Sequence, residues 1–183
     1  MHNRIPKYFT FINSFERKKI YNLPKKVGII YRNYKFKINS KQISEIKNFC
    51  KKLGIKIYLA NNVKLAIKNS LDGVYIPSFN KNLKYKNFPK KKEFLIMGSA
   101  HKINEIRIKE KQGVELVFIS PIFNKDKNRK SLGVVKFNLL SKQTKMKIVA
   151  LGGIKKKNLS LLKMVNINAI SGIRFIEEIL NEK

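Results

Sequence analysis

The sequence predicts an α/β fold, a compact (β/α)8 TIM barrel with a shortened first helix, in a single domain over residues 1–183. Three observations lead there: a series of short apolar runs, helical patterns between them, and small or polar residues where the runs end. The runs are KYFTFINS, VGIIYRN, IKIYLAN, DGVYIPS, EFLIMGSA, VELVFISPIF, MKIVALGG and INAISGI. Each has the length of about four to eight residues and the polar or glycine borders of a buried strand. Strands separated by helices pair in parallel, because a parallel pair needs a crossover connection. Eight such units favour closure into a barrel, although 183 residues is shorter than the roughly 200–250 usual for it. The alternative is an open, doubly wound sheet.

In chain order, the first strand is followed by FERKKIYNLPKK, which Pro24 breaks too early for a full helix. After the second strand, SKQISEIKNFCKKLG sets Ile43, Ile46, Phe49, Cys50 and Leu53 at helical spacing. Ser40 is the expected N-cap and Gly54 the stop. The helical segments NVKLAIKNSL and INEIRIKEKQG follow the third and fifth strands, and NLSLLKMVN and RFIEEILNEK follow the seventh and eighth. The sixth strand leads into the basic stretch FNKDKNRKSLG. The strand ends carry Asn61, Asn62, Ser78, Gly98, Ser99, Ser120, Pro121, Gly152, Gly153, Ser171 and Gly172. In a barrel these ends line one mouth, where active sites are built.

Composition narrows the function classes. No run approaches the roughly 18 apolar residues of a membrane helix, and the N-terminal MHNRIPKYFT lacks the apolar centre of a signal peptide. The expectation is a soluble, cytoplasmic protein without a membrane partner. The single cysteine, Cys50, excludes an internal disulfide and a cysteine-based zinc site, and its helical context reads as core. The net charge of +30 would suit a nucleic-acid partner, but the lysines are spread along the chain among many Asn and Ile. A/T-rich codons account for that trio, so no specific nucleic-acid partner is expected.

Several residues could carry chemistry. The Gly152–Gly153 pair leaves the seventh strand, where missing Cβ atoms let a ligand approach and free N–H groups can face an anion. Alone, the pair is better explained by a tight strand-to-helix turn without a ligand. Ser171 and Gly172 at the next strand end add a second small-residue turn, where barrels often hold phosphate. Arg32 leaves the second strand with a planar fork of donors suited to phosphate. Lys125, Lys127, Arg129 and Lys130 form a basic loop over the same mouth, either a closing lid or a solvated loop. His101 follows the fifth strand, where a general acid or base could stand, while His2 is too near the terminus to carry weight. The only aspartates are Asp72 and Asp126, and Asp72 begins a turn, which suits local backbone hydrogen bonding. That argues against a strong two-carboxylate Mg²⁺ site.

Taken in order, YRNY, LANNVKLAIKNSLDGVYIP, MGSAH, FISPIF and ALGGI resemble thiamine phosphate synthase and its TenI-type relatives, over roughly residues 8–180. The resemblance implies a (β/α)8 barrel. It implies a transferase of thiamine biosynthesis, joining hydroxymethylpyrimidine diphosphate to thiazole phosphate and giving thiamine monophosphate and pyrophosphate. The partners would be these small phosphorylated pyrimidine and thiazole ligands, and the cofactor Mg²⁺. Carried over by position, Arg32 binds pyrophosphate, Asn61 at the end of the third strand is a further substrate- or phosphate-binding residue, and Ser99 lies near the pyrimidine. Lys127 supplies the lysine of the sixth loop, Gly153 with Gly152 holds the thiazole phosphate, and Ser171 and Gly172 lie near the last phosphate turn. The chain departs from the family at Ile30 and Tyr34, which replace a glutamine and a lysine, and at Asn124 and Lys125, which replace threonines. Asn62 and Asn80 fall at the two metal-binding aspartates, giving neutral amides where carboxylates would be. The loop from Lys125 to Lys130 could then neutralise pyrophosphate directly. The alternatives are a TenI-like thiazole tautomerase, for which His101 is the comparable histidine, and a non-catalytic phosphate-binding barrel.

Overall fold

The computed structural model describes residues 5–24, 26–34, 38–87, 89, 91–124, 130–173, 175 and 176. All of the expected strands form: β1 Tyr8–Ile12, β2 Val27–Tyr31, β3 Lys56–Ala60, β4 Gly73–Ile76, β5 Leu95–Ala100, β6 Leu116–Ile119, β7 Lys147–Leu151 and β8 Ala169–Ser171. They pair in parallel with their neighbours in chain order, and β8 returns to β1, closing the barrel. Closure removes every free sheet edge.

The helices are α1 Arg17–Tyr21, α2 Ser40–Lys52, α3 Val63–Lys68, α4 Ile103–Lys111 and α5 Gly133–Ser141. The first is a single short turn that buries only Ile20, as the break at Pro24 implies. In α2, Ile43, Ile46 and Cys50 lie on one stripe against the barrel. Its cap is Asn39, one residue before the expected Ser40. The Asn39 side chain accepts from the Gln42 N–H at 2.9 Å and Gln42 reciprocates at 3.2 Å. This capping box needs the glutamine three residues on, which places Asn39 and not Ser40 at the cap. Gly54 follows the helix at φ +66°, as expected of a stop.

Two helical assignments change. FNKDKNRKSLG is followed by α5, whose sequence GVVKFNLLS is apolar nearly all round and so lacks the periodicity that marks a helix. NLSLLKMVN instead forms 3-10 turns at Lys156–Asn158 and Ser160–Met164. Another 3-10 turn, Leu83–Asn87, follows β4. Of RFIEEILNEK, Phe175 and Ile176 are helical and buried, and the rest lies outside the described residues.

The core has two parts. Between strands and helices lie residues such as Ile29, Ile57, Val74, Ile96, Val117 and Phe137. Inside the barrel lie Phe9, Phe11, Ile30, Tyr58, Tyr75, Met97, Leu116, Phe118 and Val149. The interior is therefore packed, so ligand chemistry is confined to the rim. Asp72 turns out structural, as its turn position implies, its carboxylate accepting from the Ile57 N–H at 2.8 Å. Among the described residues no helix is long and apolar enough to cross a membrane.

Cys50 is 1% exposed, and burial, with the Asp72 charge adding to it, pushes its thiol up to about 12. The thiolate is the reactive species. The native protein is therefore expected to leave Ellman's reagent unreacted at pH 8 and to consume one equivalent in guanidinium chloride. Prompt native reaction would contradict a core position.

Candidate functional site

At the C-terminal mouth, aromatic rings form the floor. Phe11 meets Tyr75 edge-on at 5.2 Å, and Tyr75 meets Phe118 at 5.3 Å. Arg32 continues β2 by one residue, its N–H bonded to the Ile12 carbonyl at 2.8 Å, and its guanidinium lies 4.8 Å from the Phe11 ring centre. Stacking holds the planar fork while leaving its edges to bind. Ser99 is buried at the top of β5, and its side chain hydrogen-bonds the Tyr75 hydroxyl. Burial pushes that phenol up to about 12, with the nearby Arg32 pulling the other way. Tyr75 thus stays protonated at neutral pH, a neutral hydroxyl bonded to Ser99 and within the electrostatic reach of Arg32. Above them Tyr34 and Phe79, both exposed, meet edge-on at 5.8 Å and join the loops after β2 and β4.

Across the mouth, Gly152 and Gly153 take positive φ values of +98° and +68°. A Cβ at Gly153 would run into the Phe123 backbone carbonyl and lie 2.8 Å from that of Asn124. The turn is braced by bonds from Ile122 N–H to Leu151 and from Phe123 N–H to Gly152, at 3.0 and 3.1 Å. Neither Gly152 nor Gly153 donates its own N–H to another described residue. Two adjacent backbone donors are left for an anion. Ser171 and Gly172 are placed differently. The Ser171 hydroxyl and the Gly172 N–H both donate to the Phe9 carbonyl, at 3.0 and 3.1 Å, which commits them to the junction of β8 and β1.

Between β3 and β4 the rim is built of amides. Asn61, in the left-handed region at φ +60°, accepts at Oδ1 from Asn80 Nδ2 at 2.6 Å. Asn80 Nδ2 also donates to the Tyr85 hydroxyl at 2.8 Å. Asn62 turns away from this pair to cap α3, accepting from the Leu65 N–H at 3.0 Å. Beneath lies Lys109, fully buried, its Nζ donating to Pro77 O, Asn80 O and Gln112 Oε1 at 2.9, 2.9 and 2.8 Å. Gln112 in turn donates to Asn80 O and Asn82 O at 3.0 and 2.9 Å. Burial pulls Lys109 down to about 8, and its three acceptors match the three hydrogens of an ammonium.

His101 lies beside β6, its Nδ1 2.7 Å from the Ser120 carbonyl. That contact makes Nδ1 the protonated nitrogen and leaves the Nε2 lone pair available. Lys127, with Lys125 and Arg129, lies outside the described residues. A groove of about 500 Å³ opens at the opposite end of the barrel, between Leu71 and Phe94.

A sequence model described as thiamine monophosphate synthase matches residues 26–176. The chain belongs to this family. A thiamine-phosphate synthase of Prochlorococcus marinus (strain AS9601) is 29% identical over 143 residues, covering 76% of this chain and 39% of that protein. A putative thiamine-phosphate synthase 2 of Aquifex aeolicus is 24% identical over 142 residues, covering 75% of each. The chain spans about two fifths of the length of its Prochlorococcus relatives. Thiamine phosphate pyrophosphorylase from Pyrococcus furiosus superposes with a TM-score of 0.72 at 16% identity, over 98% of this chain and 97% of that one, and shares its fold.

The thiamine monophosphate synthase family implies Mg²⁺, and the residues present here do not fit it. A hard cation needs several oxygens, charged where possible. The oxygens of Asn61, Asn62 and Asn80 are neutral and already accept hydrogen bonds, the last from the Asn82 N–H at 2.9 Å. The Asn80 amide nitrogen faces Asn61, and the buried Lys109 ammonium lies against the Asn80 carbonyl, so both add hydrogen rather than lone pairs to this part of the rim. Among the described residues no group of three His, Cys, Asp or Glu side chains could hold a metal.

Sequence reasoning in this family missed Tyr75, Lys109 and Gln112. Tyr75 reads as one more apolar residue of a strand. Lys109 had a signal: Ile103, Ile106 and Lys109 recur at three-residue spacing, which puts a lysine on the buried stripe. Gly98 makes room for it, since a Cβ there would lie 2.8 Å from Lys109 Cδ.

Proposed function

We propose that the chain is a soluble, cytoplasmic transferase of the thiamine phosphate synthase type, joining hydroxymethylpyrimidine diphosphate to thiazole phosphate. The observation that carries this reading is two groups at strand ends of one rim suited to anions: Arg32 against the Phe11 ring, and Gly152 and Gly153, whose N–H groups have no acceptor among the described residues. Two phosphorylated substrates need two such sites. The names of the curated relatives favour the synthase over the tautomerase and the non-catalytic barrel.

In this reading Arg32 holds the diphosphate, and the glycine turn holds the thiazole phosphate. The pyrimidine's exocyclic C–O bond breaks, its electron pair leaving with pyrophosphate, and the thiazole nitrogen supplies the pair for the new C–N bond. Arg32 stabilises the charge that grows on the departing group, and the neutral Tyr75–Ser99 pair supplies polar contacts for the pyrimidine without adding charge. Lys127 adds a second positive group on the departing pyrophosphate. Positioning of the two substrates supplies the remainder.

A single-turnover assay with enzyme in excess tests this, scoring thiamine monophosphate formed from the two substrates. Product above the enzyme-free rate is expected. Its absence at saturating concentrations of both substrates would remove the synthase reading.

A further inference from the structure

The amide rim between β3 and β4 has a direction. Asn61 Oδ1 is tied to Asn80 Nδ2, so the Asn61 carboxamide turns its oxygen toward Asn80 and leaves its own Nδ2 without a partner among the described residues. Both hydrogens of Asn80 Nδ2 are used, on Asn61 and on Tyr85. What this part of the rim leaves uncommitted among the described residues is therefore an N–H donor. Its position is fixed from below. Lys109 on α4 and Gln112, the residue that ends it, both fully buried, take up the carbonyls of Pro77, Asn80 and Asn82. That is three carbonyls of one six-residue loop held by two side chains from the end of a neighbouring helix and its cap. Removing Lys109 would take one donor from the Pro77 and Asn80 carbonyls, and removing Gln112 one from those of Asn80 and Asn82, so the two side chains together favour one path for the loop.

A divalent cation placed here would meet oxygens that already accept hydrogen bonds, an amide nitrogen turned the wrong way, and the Lys109 ammonium behind them. An anion would meet the reverse: a free amide donor, with a positive charge buried beneath it. Glu105 is the acidic group that acts on Lys109, and it lies on the same helix.

We propose that this mouth binds its diphosphate ligand without a divalent cation, the Asn61 amide, oriented by Asn80 and the Lys109–Gln112 clamp, donating to the anion where a metal ion would otherwise bridge. This rests on reading the barrel as a diphosphate-handling member of its family. Asn61 keeps the phosphate-binding role the resemblance implies, now as a donor that replaces the metal, and Lys109 and Gln112 act through the loop as positioning residues.

Calorimetric titration of the full chain with inorganic pyrophosphate, in EDTA and in excess Mg²⁺, tests the proposal, with Mn²⁺ electron paramagnetic resonance as a direct count of bound metal. Dissociation constants agreeing within about threefold, and no protein-bound Mn²⁺ with or without pyrophosphate, are expected. Asn61→Asp should weaken pyrophosphate about tenfold or more in EDTA by replacing a donor with a charge of the ligand's own sign. The double variant Asn62→Asp with Asn80→Asp should weaken it similarly in EDTA and recover when Mg²⁺ is added. Affinity in the unaltered chain that rises more than about tenfold with Mg²⁺, or a bound Mn²⁺ signal, overturns the proposal while leaving the synthase reading intact. No pyrophosphate binding in either buffer also overturns it, and the turnover assay then judges the synthase reading separately.

Discussion

Gly153→Ala is expected to lose roughly 3–5 kcal/mol of stability, a fall of about 10 °C in melting temperature for a chain of this size. Two costs add. The residue sits at φ +68°, where any L side chain is strained, and its Cβ would run into the Phe123 backbone carbonyl. A backbone carbonyl cannot rotate aside as a side chain can. Gly54 separates the two costs, since it has nearly the same φ, +66°, and nothing within 4 Å of the Cβ position. Gly54→Ala should therefore cost only the conformational part, about 1 kcal/mol. Thermal melts followed by circular dichroism of both variants decide the matter. Equal losses would show that the close approach of Gly153 to Phe123 is not what fixes this turn. The same substitution should also displace the two free N–H groups, so thiazole phosphate affinity should fall more than tenfold in whatever protein remains folded at low temperature.

Arg32→Ala should leave the fold within about 1 kcal/mol of the unaltered chain, because the side chain is half-buried at the rim and packs mainly on Phe11. Its effect on chemistry should be far larger. A guanidinium that stabilises charge growing on pyrophosphate is worth about 100- to 1000-fold in kcat. Arg32→Lys keeps the charge and loses the planar fork and the stacking, so it should recover only part of that factor. Single-turnover rates at saturating substrate measure it. If Arg32→Ala turned over within about threefold of the unaltered chain, the diphosphate would have to be held elsewhere on the rim.

The fold was legible in this sequence because a parallel barrel strand is buried on both sides. VGIIY and LVFI are unbroken apolar runs, and such runs stand out against lysine-rich surroundings. The helices were less legible where their amphipathic pattern failed. The nearly all-apolar α5 has no stripe to detect, and the turns at 156–164 carry a helix-like pattern without enough length to complete a helix. Of the candidate site, Arg32 and the glycine pair stood out because unusual residue types stand at strand ends. The amide rim was not readable as a unit. Asn61 and Asn80 are 19 residues apart in sequence and meet only through the loop after β4. The clamp beneath them comes from a helix that begins more than twenty residues later. Nor could sequence say that Ser171, next to an apparent phosphate turn, spends its hydroxyl on Phe9.

That Ser171–Phe9 bond joins residues 162 positions apart, across a strand of only three residues. Among the described residues, two backbone register pairs, this hydroxyl and the Gly172 and Ile170 N–H groups join the first and last strands. None of those contacts can form until nearly the entire chain is present. A chain with seven strands in place is still an open sheet, with β1 and β7 exposing unpaired backbone to any other strand within reach. The shortest strand of the barrel therefore governs the slowest kind of contact in folding, a pairing between the two distant ends of the chain. The Ser171 hydroxyl adds one more bond at the step that ends this exposure.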